Sequence, residues 1–230
     1  MANPEHLAKL KKGVELWNEW REENPDIKPD LQEADLKRAD LTEANLRGAN
    51  LQKANLTEAD LTEAQLQHAN LLEANLQGAD LWDAALQFAN LNRAALYGAN
   101  LEGANLEEVN LQEAYLQESH LQFANLQQAN LQKAQLQHAN LQNTYLQKAQ
   151  LQSANLQHAN LQDANLEGAN LEEANLQNTN LRHTFLREAN LQDASLEGAK
   201  LKNADLINVT WTDGSPCSNA NFNLPRSNEG

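Results

Sequence analysis

Leucine recurs at every fifth position of the chain, from Leu31 through Leu206, which makes 36 consecutive five-residue units without an exception. Alanine stands two positions before nearly every one of these leucines, and Asn or Asp usually stands directly before it. After Ala34 the alanine position is otherwise filled only by small residues: Val109, Ser119, Thr144, Thr179 and Thr184. The pattern of apolar and polar residues therefore has a single period, five residues.

A period of five fits neither a long helix nor a long strand. A five-residue step turns an α-helix by about 140° beyond a full turn, so successive leucines would scatter around its surface. In a continuous strand an odd step would send successive leucines to opposite faces and leave half of them in water. The chain must therefore turn once per unit, with alanine and leucine pointing inward. Four units close a square, and we predict nine stacked coils of twenty residues.

Residues twenty positions apart test this prediction, because they did not define the period. One such column alternates in charge: Glu33, Lys53, Glu73, Arg93, Glu113 and Lys133. Another consists of asparagine: Asn50, Asn70, Asn90, Asn110 and Asn130. Stacked coils would place opposite charges side by side in the first column and suit an amide ladder in the second.

The repeated motif of alanine, Asn or Asp, leucine and two further residues closely resembles the repeat of the pentapeptide repeat proteins. Examples are Ala44-Asn45-Leu46 and Ala124-Asn125-Leu126. The resemblance covers residues 31–206. It implies an all-β solenoid, a right-handed quadrilateral β-helix whose interior is lined by the leucine and the small residue two positions before it. The handedness comes from the resemblance and not from the periodicity.

An amphipathic helix is predicted at the N-terminal end, over residues 4–23. Asn3 suits a helix N-cap with Pro4 at the first helical position, and Pro25 disfavours helix at Asn24. The apolar residues follow at helical spacing: Leu7, Leu10, Val14 and Trp17, with Leu16 and Trp20 at the margins. An open solenoid exposes an apolar mouth, so we expect this helix to cap the first coil. The alternative is a helix that docks into the groove of a partner.

At the other end Trp211 continues the five-residue register and suits a lid. A turn is predicted at 213–216, one displaced unit at 220–222, and a mobile polar tail from 223. The sequence thus divides into three parts: a capping helix and linker (1–30), the β-helix (31–210), and a C-terminal cap with its tail (211–230).

The charge favours a protein partner over nucleic acid or a membrane. The formal net charge is −15, so long-range repulsion opposes binding to phosphates or anionic lipid, and a basic protein is the expected partner. The single Cys217 cannot form an intramolecular disulfide, the first residues do not resemble a signal peptide, and no apolar stretch is long enough to cross a bilayer. We expect a cytoplasmic protein, either a monomer or a homodimer formed through the coil ends.

No motif for catalysis, cofactor binding or metal binding is recognisable. A bore filled with leucine and alanine leaves no space for a substrate. His138 and His158 lie one predicted coil apart, so their rings are expected to stack as two solvated side chains rather than to share a metal. We therefore expect no enzyme, no cofactor and no metal.

Carboxylates are concentrated between Glu58 and Glu118, where Arg93 is the one basic residue. The candidate interaction face combines acidic and aromatic residues of this band: Asp60, Asp80, Trp82, Asp83, Phe88, Tyr97, Glu107, Tyr115 and Phe123. Such a surface suits a basic partner. The simpler interpretation is a solvated surface whose aromatic side chains cover their neighbours, because these residues fall on more than one side of the square.

Two functions are open at this point. The first is a rigid structural scaffold or protein-interaction module. The second follows from the resemblance, because some pentapeptide repeat proteins imitate a DNA duplex and bind DNA gyrase, and another basic DNA-binding protein is an equivalent target. A mimic of DNA should be negative along its length, whereas residues 119–162 contain Lys133 and Lys148 and not one carboxylate.

Overall fold

The computed structural model describes residues 1–215. Two helices, α1 (Pro4–Leu10) and α2 (Val14–Glu23), precede a solenoid. The solenoid has no strand longer than a single bridge residue within the described part of the chain. Its parallel bridges link residues twenty apart, in an unbroken series from Asp30↔Asn50 to Asn190↔Thr210. The predicted coil of twenty residues is confirmed.

Each five-residue unit ends in a tight turn that forms one corner of the square. In the first unit the N–H of Ala34 donates to the carbonyl of Leu31 at 3.0 Å, and Glu33 has a φ of 59°. A positive φ at the third residue of a four-residue turn is the signature of a type II turn. All 36 corners share this conformation, and glycine occupies only six of them: Gly48, Gly78, Gly98, Gly103, Gly168 and Gly198.

Neighbouring coils are joined by three backbone hydrogen bonds per unit. In the first wall the N–H of Leu31 donates to Asn50 O at 2.7 Å, that of Glu33 donates to Gln52 O at 2.8 Å, and that of Asn50 donates to Pro29 O at 2.8 Å. The turn uses a fourth N–H. Only the N–H directly after the leucine has no place in this pattern.

The asparagine or aspartate before each leucine supplies that missing acceptor. The N–H of Gln52 donates to Asn50 Oδ1 at 3.3 Å, and the same bond recurs in most units. This local bond explains why the short polar side chain recurs at that position. The asparagines also bond to each other between coils, as in Asn70 Nδ2 to Asn50 Oδ1 at 3.2 Å, which confirms the predicted ladder.

The interior is filled as the period predicts. From Leu41 to Leu191 every central leucine is at most 1 % exposed, and the alanines opposite are equally buried. The small polar replacements are also buried, and their hydroxyl groups donate to leucine carbonyls, as Thr144 does to Leu141 and Thr179 to Leu156, both at 2.8 Å. Buried polar groups are thereby satisfied, so the bore is a packed core throughout.

The N-terminal segment forms two helices where the sequence predicted one. Both predicted ends are confirmed: Asn3 caps α1 and α2 ends before Asn24. The segment breaks at Gly13, whose φ of 122° is outside the helical range. Leu10 on α1 and Trp17 on α2 are both buried and belong to the same hydrophobic core as the leucines of the solenoid.

Side chains of α2 continue the hydrogen-bond ladder over the first coil, so its predicted role as a cap is confirmed. Trp17 Nε1 donates to Asn45 O at 2.9 Å, while the Asn18 amide donates to Glu43 O at 3.0 Å and accepts from Asn45 N at 2.8 Å. The N–H and carbonyl of Asn45 have no preceding coil to pair with. The margin residue Leu16 is 53 % exposed and takes no part in the cap.

At the C-terminal end Trp211 packs against the core, as predicted. Asp213 Oδ1 accepts from the N–H of Ser215 at 2.9 Å, within the predicted turn. The remainder of that turn, the displaced unit at 220–222 and the polar tail lie outside the described residues. None of the helices in residues 1–215 has the length and apolar character needed to cross a membrane.

Candidate functional site

The solenoid has four walls, which we number by the leucine that begins each: wall 1 from Leu31, wall 2 from Leu36, wall 3 from Leu41 and wall 4 from Leu46, with every twentieth residue following. The residue before each leucine lies at mid-wall, and the two residues after it form the corner to the next wall. Residues close in sequence therefore lie on different walls, while residues twenty apart are neighbours.

Wall 3 carries a stack of like charges in its first four coils. We call these seven carboxylates the acidic wall: Asp40, Asp60 and Asp80 at mid-wall, and Glu43, Glu63, Asp83 and Glu102 at the following corner. Asp40 and Asp80 are each bridged to Asp60, so the three carboxylates lie at the coil spacing of about 4.8 Å. Repulsion between two such charges is about 1 kcal/mol in water.

Local hydrogen bonds hold the three mid-wall aspartates in place, and they favour the ionised form of Asp60. The N–H groups of Thr42, Thr62 and Trp82 donate to the aspartate before the intervening leucine at 3.2, 3.0 and 3.1 Å. The backbone N–H of Thr62, followed by its hydroxyl, lowers the pKa of Asp60 below its usual range. Hydrogen bonds to the charged form favour that form, so the Asp60 carboxylate stays negative.

Elsewhere on the described surface, carboxylates form ion pairs with Lys and Arg side chains, but the carboxylates of the acidic wall do not. Lys53 lies 3.4 Å from Glu73, and Arg93 lies 2.8 Å from Glu113, so two adjacent pairs of the alternating column form ion pairs between coils. Arg38 pairs with Glu58 in the same way. Across residues 1–215 none of the seven carboxylates of the acidic wall forms an ion pair. The wall therefore presents uncompensated negative charge.

The structure brings together six of the nine residues of the predicted interaction face. Asp60, Asp80, Trp82, Asp83 and Phe123 lie on wall 3 and its corner, and Tyr97 lies at the corner where wall 2 meets wall 3. Trp82 is 40 % exposed and Phe123 56 %.

The other three predicted residues lie elsewhere on the square. Tyr115 is at the middle of wall 2, whereas Phe88 and Glu107 are at the corner between wall 4 and wall 1. Phe88 stacks on the ring of His68, with centroids 5.0 Å apart. These three residues do not share one surface with the acidic wall.

Two exposed aromatic residues were missed, Tyr145 and Phe185 on wall 4. Both directly precede a leucine, at the mid-wall position where Asn or Asp normally accepts the N–H two residues later. Tyr115 occupies the same position on wall 2. A departure from the repeat at the position that stabilises each turn is the signal that could have found them.

The predicted stacking of the histidine pair is confirmed. The rings of His138 and His158 are stacked, with centroids 5.0 Å apart and planes 7° from parallel. Within the described residues no group of three or more His, Cys, Asp or Glu side chains converges in a way that could hold a metal.

Asp83 leans over Gly103 in the coil above, and this contact yields a measurable prediction. We expect Gly98→Ala to lower the free energy of unfolding by about 1 kcal/mol, because alanine is disfavoured at its φ of 62°. Gly103→Ala should cost more, since its Cβ would meet the Asp83 carboxylate while Gly98 faces open space. Chemical denaturation measures both changes.

A double-mutant cycle isolates the contact. In an Asp83→Ala background the excess cost of Gly103→Ala should disappear. An excess that persists without Asp83 would show that this carboxylate does not occupy the predicted place.

The chain belongs to the pentapeptide repeat family. The family model described as "pentapeptide repeat region" matches residues 89–171. The model described as "pentapeptide repeats (8 copies)" matches residues 30–62, 59–96 and 169–208. The fold is thus the right-handed quadrilateral β-helix of that family.

Among solved structures the chain is similar to HetL, a pentapeptide repeat protein involved in heterocyst differentiation regulation from the cyanobacterium Nostoc sp. strain PCC 7120. The identity is 38 %, the match covers 81 % of this chain and 86 % of HetL, and the TM-score is 0.67. It is also similar to Rfr23 from the cyanobacterium Cyanothece 51142, at 35 % identity over 47 % and 84 % of the two chains, with a TM-score of 0.38.

A third similar structure is QnrB1, a plasmid-mediated fluoroquinolone resistance protein. The identity is 17 %, the match covers 76 % of this chain and 90 % of QnrB1, and the TM-score is 0.44. None of the curated protein sequences compared with the chain matches it significantly.

Proposed function

We propose that this chain is a rigid, non-catalytic module that binds a basic protein through the acidic wall. The observation that carries the proposal is the column of Asp40, Asp60 and Asp80, whose mutual repulsion is not relieved by any ion pair within residues 1–215. Asparagine would form the same turn bond without repulsion, as it does on wall 1. The charge at these positions is therefore not needed for the fold.

The acidic wall has the composition of a recognition surface for arginine. Several ionised carboxylates can receive guanidinium groups in bidentate pairs. Trp82 lies at the corner beside Asp80 and Asp83, and its exposed ring can accept a cation on its face. A partner with basic side chains would relieve the repulsion within the column, so binding and charge relief would act together.

The packed bore and the family support a role without catalysis. An enzyme pocket needs a concave, accessible volume, whereas the described interior is filled by leucine, alanine and a few other small residues. The similar protein HetL is involved in a regulatory process, which fits a module that acts by contact with another protein. We also propose a cytoplasmic location, supported by the single cysteine in 230 residues.

A set of matched variants tests the proposal. In the wall variant, Asp60→Asn, Asp80→Asn and Asp83→Asn remove three charges while keeping the turn bonds. In the control variant, Glu172→Gln, Glu188→Gln and Glu197→Gln change the net charge equally at corners near the C-terminal end of the rod, away from the acidic wall. We expect the wall variant to bind a labelled arginine–serine peptide about tenfold more weakly in fluorescence anisotropy, and the control less than threefold. Equal losses would show that only the total charge matters.

DNA mimicry is the second function, and the charge distribution opposes it. The acidic wall ends at Glu102, and residues 119–162 carry two lysines and no carboxylate. A gyrase supercoiling assay separates the two functions. We expect no inhibition at micromolar protein. Inhibition by the natural chain that disappears in the wall variant would replace our proposal with mimicry of DNA.

A further inference from the structure

A cleft of about 560 Å³ lies where α2 and the segment that follows it meet the wall 4 corner of the first two coils. Its volume is within the range of pockets that bind small molecules. Gly48 widens it, because this corner has no side chain and a Cβ there would meet open space. The cleft differs from the acidic wall in position and in charge, since it lies on wall 4. Three cations line it, Arg21, Lys28 and Arg47, together with the carboxylates Glu22 and Asp26.

Arg21 is the buried cation of this cleft. It is only 5 % exposed, and its guanidinium donates to the carbonyls of Ile27 and, at 3.1 Å, of Arg47. Its Nε is buried and forms no hydrogen bond to any described residue. Two backbone carbonyls hold the guanidinium in position but bring no negative charge to it.

The three cations of this cleft form no ion pairs with the described residues. Within residues 1–215 no carboxylate lies within ion-pair distance of Arg21, Lys28 or Arg47. Glu22 and Asp26 also line the cleft but form no ion pair there. Burial, followed by the charge of Arg47, lowers the pKa of Arg21, which shows that the two cations repel each other. In a chain of net charge −15 such an unpaired basic cluster requires an explanation.

From these contacts we propose that the cleft binds a small organic oxyanion, a phosphate or carboxylate carried on a compact apolar or aromatic body. Guanidinium groups bind such oxyanions through charge-assisted and often bidentate hydrogen bonds. The anionic group lies by Arg47 and Lys28 and faces the charge of Arg21. The body of the ligand lies against Pro25 and Ile27.

The aromatic side of the cleft favours a ring in the ligand. His68 lines it and is held parallel to the ring of Phe88 in the coil above, 5.0 Å away. A planar ligand can lie against the imidazole in offset stacking. The cleft shares no residue with the acidic wall, so a test of this site does not depend on the protein-binding function proposed above.

Calorimetric titration of the full chain with phenyl phosphate tests the site, with inorganic phosphate and benzyl alcohol as probes of the two halves of the ligand. We expect saturable binding of one phenyl phosphate per chain, weaker binding of inorganic phosphate and none of benzyl alcohol. Arg47→Gln should weaken phenyl phosphate binding about tenfold. The same ligand should raise the melting temperature of the natural chain, because it binds the folded state.

Gly48→Glu supplies an internal carboxylate that should occupy the cleft and abolish binding. Gly98→Glu is the matched control: it makes the same change at a corner of similar φ, also with open space around the Cβ position, and should bind as the natural chain does. Circular dichroism checks whether each variant is folded. If Gly48→Glu does not fold, the affinity of Arg47→Gln for phenyl phosphate is the test of the site.

Three results would overturn the proposal. The first is the absence of saturable binding to the natural chain. The second is an equal loss of affinity in Gly48→Glu and Gly98→Glu. The third is an adventitious ion only, seen as inorganic phosphate binding as well as phenyl phosphate and unaffected by Arg47→Gln.

Discussion

Replacing Trp17 with alanine is expected to lower the free energy of unfolding by about 3–5 kcal/mol, the usual cost of removing a large buried aromatic side chain. Trp17 is fully buried between α2 and the first coil, and its indole N–H donates to Asn45 O. The truncation opens the mouth of the bore to water and leaves that carbonyl without its donor. Both consequences act at the one place where the solenoid begins.

Urea denaturation followed by circular dichroism measures this effect, and Leu16→Ala is the control. Leu16 precedes Trp17 on the same helix but is 53 % exposed, so its truncation should change the stability by no more than about 0.5 kcal/mol. If Trp17→Ala were as mild as Leu16→Ala, the helix would not be a structural cap. The docking of α2 into a partner would then become the better explanation of its apolar face.

Leu116→Asn in the middle of the rod is expected to cost about 4 kcal/mol or more. The leucine is fully buried, so the change removes its apolar contacts and places an amide in a bore where the backbone groups are already paired. Because each coil contacts only its neighbours, such a defect should separate the unfolding of the two halves of the rod. Two transitions in urea would show that the halves unfold separately, whereas a single transition at much lower urea would show the loss of stability alone.

Tyr115→Asn makes nearly the same chemical change one residue earlier, with the opposite expectation. Tyr115 is 50 % exposed and points away from the bore. In the preceding unit Asn110 accepts the N–H of Gln112, two residues later, so the substitution should be neutral or slightly stabilising. Comparable losses from both variants would contradict the inward and outward assignment on which the fold depends.

The sequence predicts the solenoid almost completely because one constraint acts on every unit. A leucine and a small residue at a period of five can both be buried only if the chain turns in each unit, and 36 units leave no other solution. The break in the N-terminal helix was not predicted, because the apolar spacing through Val14 remains helical on either side of it. Gly13 was visible in the sequence, but its effect depends on how the two helices meet the first coil.

The candidate interaction face was predicted only in part, because it was grouped by position along the chain. A band of sixty residues passes around the square three times, so Phe88 and Glu107 join Asp60 and Asp80 in sequence but not in space. Grouping the residues that lie twenty positions apart gives the acidic wall directly. The basic cleft could not be predicted in this way, since it depends on the direction of α2 and on the hydrogen bonds of Arg21.

Every unit of the solenoid makes the same turn, the same ladder bonds and the same pair of inward contacts. The loss or gain of five residues would leave the interior unchanged, but it would rotate every later outward residue by a quarter of the circumference relative to α2. Length and surface pattern can thus change together in single small steps while the stability of the rod is preserved. A protein of this kind can move charges from one side to another without altering one buried side chain.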